Sequence, residues 1–264
     1  MREIPEIIYL LDEQGMQKHR KFLQEYRELR RREGRGSDDP EYYLHLPDGE
    51  FGRERKSEWK MRKESLIWLQ GELRKRFPDQ SLDILDAGAG NCWLTRYLAE
   101  WGHRVTALDL NDDRHDGLGA GENYLQELPI TFDRVVADFV DLPWGEGTFD
   151  LLIYNGSIHY AEDLYSVIAE GLRILRKDGS LIILDSPIYH DHKSGTTMVK
   201  ERGGHGRAGF LTYGTLNELA RLFSLRIFVN ERPRRAFDRV KRRLIALKLG
   251  REPASMPWIV LTKS

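Results

Sequence analysis

Short apolar runs alternate with segments of helical periodicity through the middle of the chain. Apolar side chains recur at helical spacing in two of the intervening segments, first at Leu94, Leu98 and Trp101 and later at Leu164, Val167 and Leu172. The second repeat predicts a helix that ends at 177–179. The runs predict five strands, at 81–86, 104–110, 132–137, 149–154 and 180–185. Strands that alternate with helices require crossover connections, so the pattern predicts an α/β fold with a doubly wound parallel sheet.

The chain divides into two predicted parts on either side of residue 78. Residues 1–78 are charge-rich and show two helical patterns, one through Phe22 and Tyr26 and one from 59 to 73, so we expect a helical N-terminal extension or cap. Residues 79–264 form the predicted α/β domain. Within it, 189–210 is polar and glycine-rich, which favours a lid-like loop. The pattern after this loop predicts a helix at 212–223, a strand at 225–229, a basic helix within 232–251 and a last strand at 258–262.

Composition and charge narrow the class of protein. The 264 residues include 41 basic and 42 acidic side chains, and 40% are hydrophobic, as in ordinary globular proteins. Cys92 is the single cysteine, which excludes intrachain disulfides and cysteine-rich zinc modules. Apolar runs do not approach the ~20 residues that span a bilayer, and the first residues lack the cleavage site of a signal peptide. We therefore expect a cytoplasmic protein.

A glycine-rich turn follows the first predicted strand of the sheet. Asp86, Gly88 and Gly90 occupy this turn, and Asp109 ends the next strand, 19 positions after Gly90. Glycines let a ligand approach the backbone, and an acid at this distance can bind the ribose hydroxyls of a nucleoside. The alternative is that Asp109 only caps the following turn. Dinucleotide-binding loops prefer a third glycine where this chain has Trp93.

These motifs resemble those of the class I S-adenosylmethionine-dependent methyltransferases, in particular their small-molecule and ubiquinone-type branch. ILDAGAG (84–90) resembles the first motif of that family, ALDLN (107–111) its ribose-binding acid motif, and 135–160 and 171–187 its later segments. The resemblance implies a Rossmann-like seven-stranded sheet with an antiparallel last strand, and S-adenosylmethionine as cofactor. The cofactor-binding residues that it implies are Asp86, Gly88, Ala89, Gly90, Asp109, Leu110, Asp138, Phe139 and Asn155.

Candidates for the chemistry and for substrate binding follow the fourth and fifth strands. Methyl transfer from a sulfonium needs a general base only when the attacking atom still carries its proton. His159 and Tyr160 are the catalytic candidates, because a histidine titrates near neutral pH; His159 could instead only shape the pocket. Tyr189 and His190 are candidate substrate residues. We predict no metal site, because the neighbouring His190, Asp191 and His192 do not readily converge on one ion.

The residues after the fourth strand also bear on the acceptor. The segment 155–158 reads Asn-Gly-Ser-Ile, whereas the nucleic-acid amino-methylating enzymes carry N-P-P-Y or D-P-P-Y there. A small-molecule acceptor is therefore expected, methylated at oxygen, nitrogen or carbon. Two alternatives stay open: a tRNA or protein methyltransferase that docks its substrate on the basic helix, and a non-catalytic domain that binds the cofactor. The acceptor itself and the oligomeric state are not predicted.

The extra segments lead to one prediction about a lid. The helix at 59–73 and the loop at 189–210 would together cover the acceptor side of the cofactor, and closure of such a lid would exclude water. A structural cap over the sheet is the alternative. On this interpretation, deleting residues 1–52 should leave cofactor affinity nearly unchanged.

Overall fold

The computed structural model describes residues 4–49, 52–201, 209–233 and 236–263. The described strands are β1 (Ile7–Tyr9), β2 (Asp83–Ala87), β3 (Arg104–Asp109), β4 (Asp133–Val136), β5 (Phe149–Asn155), β6 (Leu175–Leu184), β7 (Ile188–Tyr189), β8 (Leu211–Thr212), β9 (Leu225–Asn230) and β10 (Trp258–Lys263). The described helices are α1 (Glu13–Arg32), α2 (Pro40–Leu44), α3 (Arg53–Arg76), α4 (Trp93–Glu100), α5 (Glu122–Glu127), α6 (Leu164–Ile174), α7 (His192–Glu201), α8 (Tyr213–Leu222) and α9 (Ala236–Leu249). Short 3₁₀ turns occur at Leu118–Gly121 and Ile158–Tyr160.

Eight of these strands form one sheet in the order β1-β4-β3-β2-β5-β6-β10-β9. Its central pairs are parallel, whereas β10 lies antiparallel to both β6 and β9. This architecture confirms the predicted Rossmann-like α/β class with an antiparallel last strand and N-terminal helices. The seven predicted strands are all present in the sheet.

An eighth strand, β1, extends the sheet beyond the prediction. Ile7 pairs in parallel with Arg134 on β4, and the Arg134 guanidinium donates a hydrogen bond to the Pro5 carbonyl 2.6 Å away. Three residues are too few for a period to be detected in the sequence. The N-terminal segment therefore belongs to the same sheet as the strands that carry the glycine-rich turn.

Apolar side chains cover both faces of the central strands. Along β2, Ile84 and Leu85 point to opposite faces, and each packs in a separate apolar cluster with less than 1% of its surface exposed. A central parallel strand is buried on both faces, which explains why two adjacent residues of β2 are both apolar. Burial of one such side chain stabilises the fold by about 1.5–3 kcal/mol.

Two predicted elements differ from the structure. The helix expected to end at 177–179 ends at Ile174, and β6 begins at once with Leu175, which pairs with Phe149 of β5. The segment 189–210 is not simply a loop, because it contains the end of β7 and all of α7; residues 202–208 lie outside the described part. The α7 sequence, HKSGTTMVKE, is rich in residues of low helix propensity, and this explains why its helix was missed.

Among the described helices, none combines the length and the apolar character that a membrane-spanning segment requires.

Candidate active site

A cavity of about 920 Å³ lies at the carboxyl ends of β2, β3, β5 and β6. Its walls include all nine predicted cofactor residues and both catalytic candidates, and also Tyr189. Ligands of open α/β sheets bind at this edge, where the crossovers change direction. The cavity thus brings together residues that are more than a hundred positions apart in the sequence.

The glycine-rich turn has a backbone shape that requires glycine at one position. Gly88 has a φ of +76°, and a Cβ built there would lie 2.2 Å from Ser157 Cβ. The amides of Gly88 and Ala89 both donate to the Leu108 carbonyl, at 2.7 and 3.0 Å, which ties the turn to β3. A Cβ built on Gly90 would meet no atom within 4 Å, so the cavity wall is open at this residue.

Asp109 ends β3 and faces the glycine-rich turn. One carboxylate oxygen accepts a hydrogen bond from the Gly90 amide and the other accepts from the Asn111 amide, both at 2.8 Å. Burial raises the pKa of Asp109, although these two bonds oppose the shift. A carboxylate oxygen accepts more than one hydrogen bond, so both oxygens keep the capacity to bind ribose hydroxyls.

Among the buried oxygen atoms of the cavity wall that have no hydrogen-bond partner among the described residues, two lie beside the glycine-rich turn. They are Oδ1 of Asp86, at the end of β2, and Oδ1 of Asn155, at the end of the adjacent β5. The other oxygen of Asp86 accepts from the Thr95 hydroxyl at 2.7 Å. Burial raises the pKa of Asp86 to about 7, with a contribution from the charge of Asp109. Unpaired buried acceptors are costly, and a cationic amino group placed here would satisfy both.

Asp138 and Phe139 lie on another wall, which α1 helps to build. The Phe139 ring packs edge-on against Tyr154 at 5.4 Å. Asp138 contacts the buried side chain of His19, with 2.9 Å between the carboxylate and Nε2, and the Lys18 ammonium lies 3.7 Å away. His19 was missed in the sequence because its partner lies more than a hundred residues away.

The first helix forms part of the cavity wall along its length. Its cavity-lining side chains are Lys18, His19, Phe22, Leu23, Tyr26, Leu29 and Arg30. Arg30 pairs with the buried Asp116, and Arg27 binds Asp112 at 2.5 Å. Because removal of residues 1–52 would open the cavity on this side, we now expect their deletion to weaken cofactor binding, in contrast to the prediction from the sequence.

The catalytic candidates lie in the 3₁₀ turn after β5. His159 Nδ1 is 3.3 Å from the Ser186 hydroxyl, and the two rings of His159 and Tyr160 are 4.4 Å apart. Tyr160 also packs edge-on against Tyr26 of α1 at 5.7 Å. Both residues border the cavity, so a role at the acceptor is compatible with their position.

The structure separates the two candidate substrate residues. Tyr189 is buried in β7 and lines the cavity. His190 is exposed and is not among the lining residues; its ring stacks on Tyr213 at 4.5 Å and its Nε2 lies 3.7 Å from Glu252. His190 directly follows β7, and its contacts with Tyr213 and Glu252 hold its ring outside the cavity wall. We therefore leave His190 out of the proposed site.

Two charged clusters with members on the cavity wall were not identified in the sequence. Glu58 accepts hydrogen bonds from both Arg35 and Arg62, with three of the four contacts at 2.8 Å. Burial acts against the charged form of Glu58, yet the two guanidinium groups lower its pKa to about 2. In the second cluster, Asp185 at the end of β6 binds Arg232. The carboxylate at the end of a buried strand was the available sequence signal for Asp185.

The predicted basic helix is present as α9. Three arginines within 232–251 are bound by other groups of the protein itself. Arg232, just before α9, is paired with Asp185, and Arg251 binds Glu201 at 2.6 Å. Arg242 donates to the carbonyls of Ala254 and Pro253 at 2.9 and 2.7 Å. The side chains of residues 236–241 and 243 lie outside the described residues. Leu244 on this helix is 61% exposed.

Comparisons with known proteins agree with this architecture. Residues 85–183 match a family described as "Methyltransferase domain". A sarcosine/dimethylglycine N-methyltransferase of Halorhodospira halochloris is 35% identical over 103 residues, which are 39% of this chain and 37% of that protein. The human mitochondrial arginine-hydroxylase NDUFAF5 is 30% identical over 162 residues, or 56% of this chain and 44% of that protein. The matched regions thus span less than half the length of either relative.

A solved structure extends the likeness to most of the fold. Magnesium protoporphyrin IX methyltransferase from Synechocystis PCC 6803, with bound SAH, superposes with a TM-score of 0.59 at 18% identity, and the match covers 82% of this chain and 90% of that one. At this level of identity the likeness concerns the fold alone. The sheet order, the glycine-rich turn with its two acids and the family match together show that residues 85–183 lie in a methyltransferase domain with the Rossmann-like class I fold.

Proposed function

We propose that this protein transfers a methyl group from S-adenosylmethionine to an oxygen, nitrogen or carbon atom of a small-molecule acceptor. The observation that carries the proposal is the pair of unpartnered buried oxygens, on Asp86 and Asn155, beside the glycine-rich turn. This arrangement fits a ligand that joins a nucleoside to a cationic amino group. A dinucleotide would instead bring two phosphates next to the Asp86 carboxyl.

Five of the nine predicted cofactor residues have side chains with a specific role in this proposal. Asp109 would bind the ribose hydroxyls, Asp86 and Asn155 the amino group, and Asp138 with Phe139 the adenine. The cofactor supplies an activated methyl group with a neutral leaving group. The protein holds the acceptor in line with that group and excludes water, and alignment of this kind is worth up to ~7–11 kcal/mol in favourable systems. His159 and Tyr160 remain the proposed bases for an acceptor that must lose a proton.

A small acceptor is favoured because two helices before the sheet enclose the cavity. Trp59 and Arg62 on α3 line it, as do Tyr189 and Met198 on the β7–α7 segment, in addition to the residues of α1. We propose that α3 and the segment 189–210 act as the acceptor-side lid of a domain formed by residues 79–264, with 1–78 as its cap. The Halorhodospira relative, named for methylation of small amines, points to the same acceptor class. A cytoplasmic location remains a prediction from the sequence.

Calorimetry with S-adenosylhomocysteine tests cofactor binding directly. We expect the wild-type protein to bind it, and the Asp109→Ala variant to bind it at least about tenfold more weakly, because hydrogen bonds to a charged group are lost. Asp178→Ala is the matched control, since Asp178 is exposed at the other end of β6. Tight binding of NADH with no binding of S-adenosylhomocysteine would contradict the proposal.

Transfer of a labelled methyl group tests the reaction and its alternatives. We expect label from methyl-labelled S-adenosylmethionine to enter the small-molecule fraction of a cell extract, and mass spectrometry to show the gain of a CH₂ unit. Label in tRNA or protein would favour the macromolecular alternative. Cofactor binding with no label in any fraction would favour the non-catalytic domain, and gain of an oxygen atom would indicate chemistry like that named for NDUFAF5.

A further inference from the structure

Asp185 is a buried carboxylate on the cavity wall that the proposed cofactor site does not use. It follows β6, and its side chain is only 2% exposed. Its Oδ1 accepts hydrogen bonds from the Ser65 hydroxyl at 2.6 Å and from the Arg232 guanidinium. The same Ser65 hydroxyl oxygen is 3.0 Å from the Trp258 indole nitrogen, which donates to it. Three separate segments therefore fix the position of this carboxylate.

The second oxygen of the same carboxylate is not held by hydrogen bonds of this kind. Oδ2 is buried and has no hydrogen-bond partner among the described residues. The backbone of Asp185 adopts a φ of +50°, a left-handed conformation that is uncommon outside glycine. Strained backbone of this kind persists where the surrounding contacts over-determine it, and it is often found at functional sites. The missing hydrogen bond and the strain occur at one residue.

Asp185 also lies beside the end of β5, where the methionine part of the cofactor is expected. The Gly156 amide, which directly follows Asn155, donates to the Leu184 carbonyl at 2.8 Å. A Cβ built on Gly156 would lie 3.9 Å from Asp185 Cβ and 4.0 Å from an Arg62 nitrogen. Arg62 is already bound to Glu58. Asn155 Oδ1, which also lacks a donor, is assigned to the amino group of the cofactor in the proposed function, so Asp185 Oδ2 is the unpartnered oxygen next to this position that remains for the acceptor.

Beside Asp185 and its charged neighbours Arg62, Glu58 and Arg232, the cavity wall also has an apolar surface. Arg232, which binds Asp185, also donates to the backbone carbonyls of Met61 and Met256 at 2.9 and 2.6 Å, and so holds both methionines nearby. Tyr189 and Met256 flank the paired residues Ile188 and Ser255, which bond in both directions. The cavity-lining members of this surface are Met61, Pro187, Tyr189, Met198, Ala254 and Met256. Methionine side chains adapt to irregular apolar ligands.

From these contacts we propose that Asp185 accepts a hydrogen bond from the N–H or O–H group that receives the methyl group. The acceptor is then a small molecule with an apolar body, held by the methionine surface, and one such donor directed at Asp185 Oδ2. This inference rests on the proposed function and specifies its acceptor. It assigns the acceptor's proton to Asp185 rather than to His159.

The same position suits Asp185 to take the proton during transfer. As the acceptor's nitrogen or oxygen bonds to the methyl carbon, the electron pair of the broken carbon–sulfur bond stays on sulfur. The acceptor's proton passes to Oδ2, which leaves a neutral acid beside Arg232. Burial raises the pKa of Asp185, although Arg232 opposes the shift, and a raised pKa makes a carboxylate a better base.

Matched pairs of small aromatic probes test this inference without knowledge of the natural acceptor. The pairs are 2-naphthol with 2-methoxynaphthalene, and indole with N-methylindole; within each pair a methyl group replaces the donor hydrogen. Binding is measured by calorimetry with and without saturating S-adenosylhomocysteine. We expect the donor member of at least one pair to bind about tenfold more tightly than its partner. The preference should disappear in Asp185→Asn and persist in the control Asp178→Asn.

The outcomes separate this inference from the proposed function. S-adenosylhomocysteine binding by the wild-type protein tests the proposed function, whereas the donor preference tests Asp185 and is also measured without that ligand. Absence of a preference in the wild-type protein overturns the inference, even if the Asp185→Asn variant does not fold. A preference that survives Asp185→Asn but is lost in His159→Gln overturns it as well. Failure of both pairs to bind contradicts the apolar subsite.

Discussion

Among the residues of the cavity, the pKa values of buried carboxyl groups shift in opposite directions according to their partners. Glu58 is held by two guanidinium groups, which lower its pKa to about 2 despite burial. Asp86 has a hydroxyl as its side-chain partner, and burial raises its pKa to about 7. A buried carboxyl without a cationic partner disfavours its charged form. A ligand cation at Asp86 would reverse this shift, and we expect the reversal to be measurable.

The first prediction concerns the pH dependence of cofactor binding. A cationic amino group favours the ionised form of Asp86, so binding lowers its pKa and releases a proton. Affinity for S-adenosylhomocysteine should therefore increase as the pH rises toward about 7 and level off above it. Calorimetry at several pH values and in buffers of different ionisation enthalpy measures both effects.

Two controls isolate Asp86 in that experiment. Methylthioadenosine lacks the amino group, and its affinity should change little over the same pH range. The Asp86→Asn variant should bind S-adenosylhomocysteine with little proton release near neutral pH. Equal pH dependence for the two ligands in the wild-type protein would show that the amino group does not meet Asp86.

At the scale of secondary-structure elements, the strands and site residues that could be predicted from the sequence are those that depend on local patterns. The runs that became β2 and β3 are short and contain adjacent apolar residues, and each carries an acid at or next to its carboxyl end, Asp86 or Asp109, so both the strands and the site residues could be located. β1 has three residues, and its partner β4 is more than a hundred positions away. Asp185 and Arg232 are 47 positions apart, and no local period links them. Contacts of this kind depend on tertiary packing.

The first helix gives the second prediction. Replacement of His19 by alanine leaves Asp138 without its buried partner and opens the wall that α1 forms. We expect the affinity for adenosine-containing ligands to fall about tenfold, as expected for one charge-assisted hydrogen bond. Lys21→Ala is the control on the same helix, because that side chain is 90% exposed. Unchanged affinity in His19→Ala would mean that α1 only covers the site.

At the scale of the whole molecule, charge distribution bears on the alternative of a nucleic-acid substrate. The formal net charge is −1, and Arg232, Arg242 and Arg251 are bound to acids or carbonyls of the protein. Arginines engaged in this way are restrained from neutralising phosphates, and phosphate contacts are what give RNA binding its salt dependence. These three arginines instead join α9 and its flanking segments to the rest of the fold.

The third prediction follows for Arg242→Glu. Loss of the hydrogen bonds to Ala254 and Pro253 should lower the free energy of unfolding by about 1–3 kcal/mol. Arg221→Glu, at an exposed position of α8, should change it by less than about 0.5 kcal/mol. Denaturant titrations measure both values. Steeply salt-dependent tRNA binding that Arg242→Glu abolishes, without loss of stability, would support the RNA alternative.

A crystal structure of the protein with S-adenosylhomocysteine tests the central claim most directly. We predict that the ribose hydroxyls contact Asp109, that the amino group lies within hydrogen-bond distance of Asp86 Oδ1, and that the sulfur faces the space between Asn155 and Asp185. The account would be contradicted by a ligand bound elsewhere, or by a sulfur that faces away from Asp185.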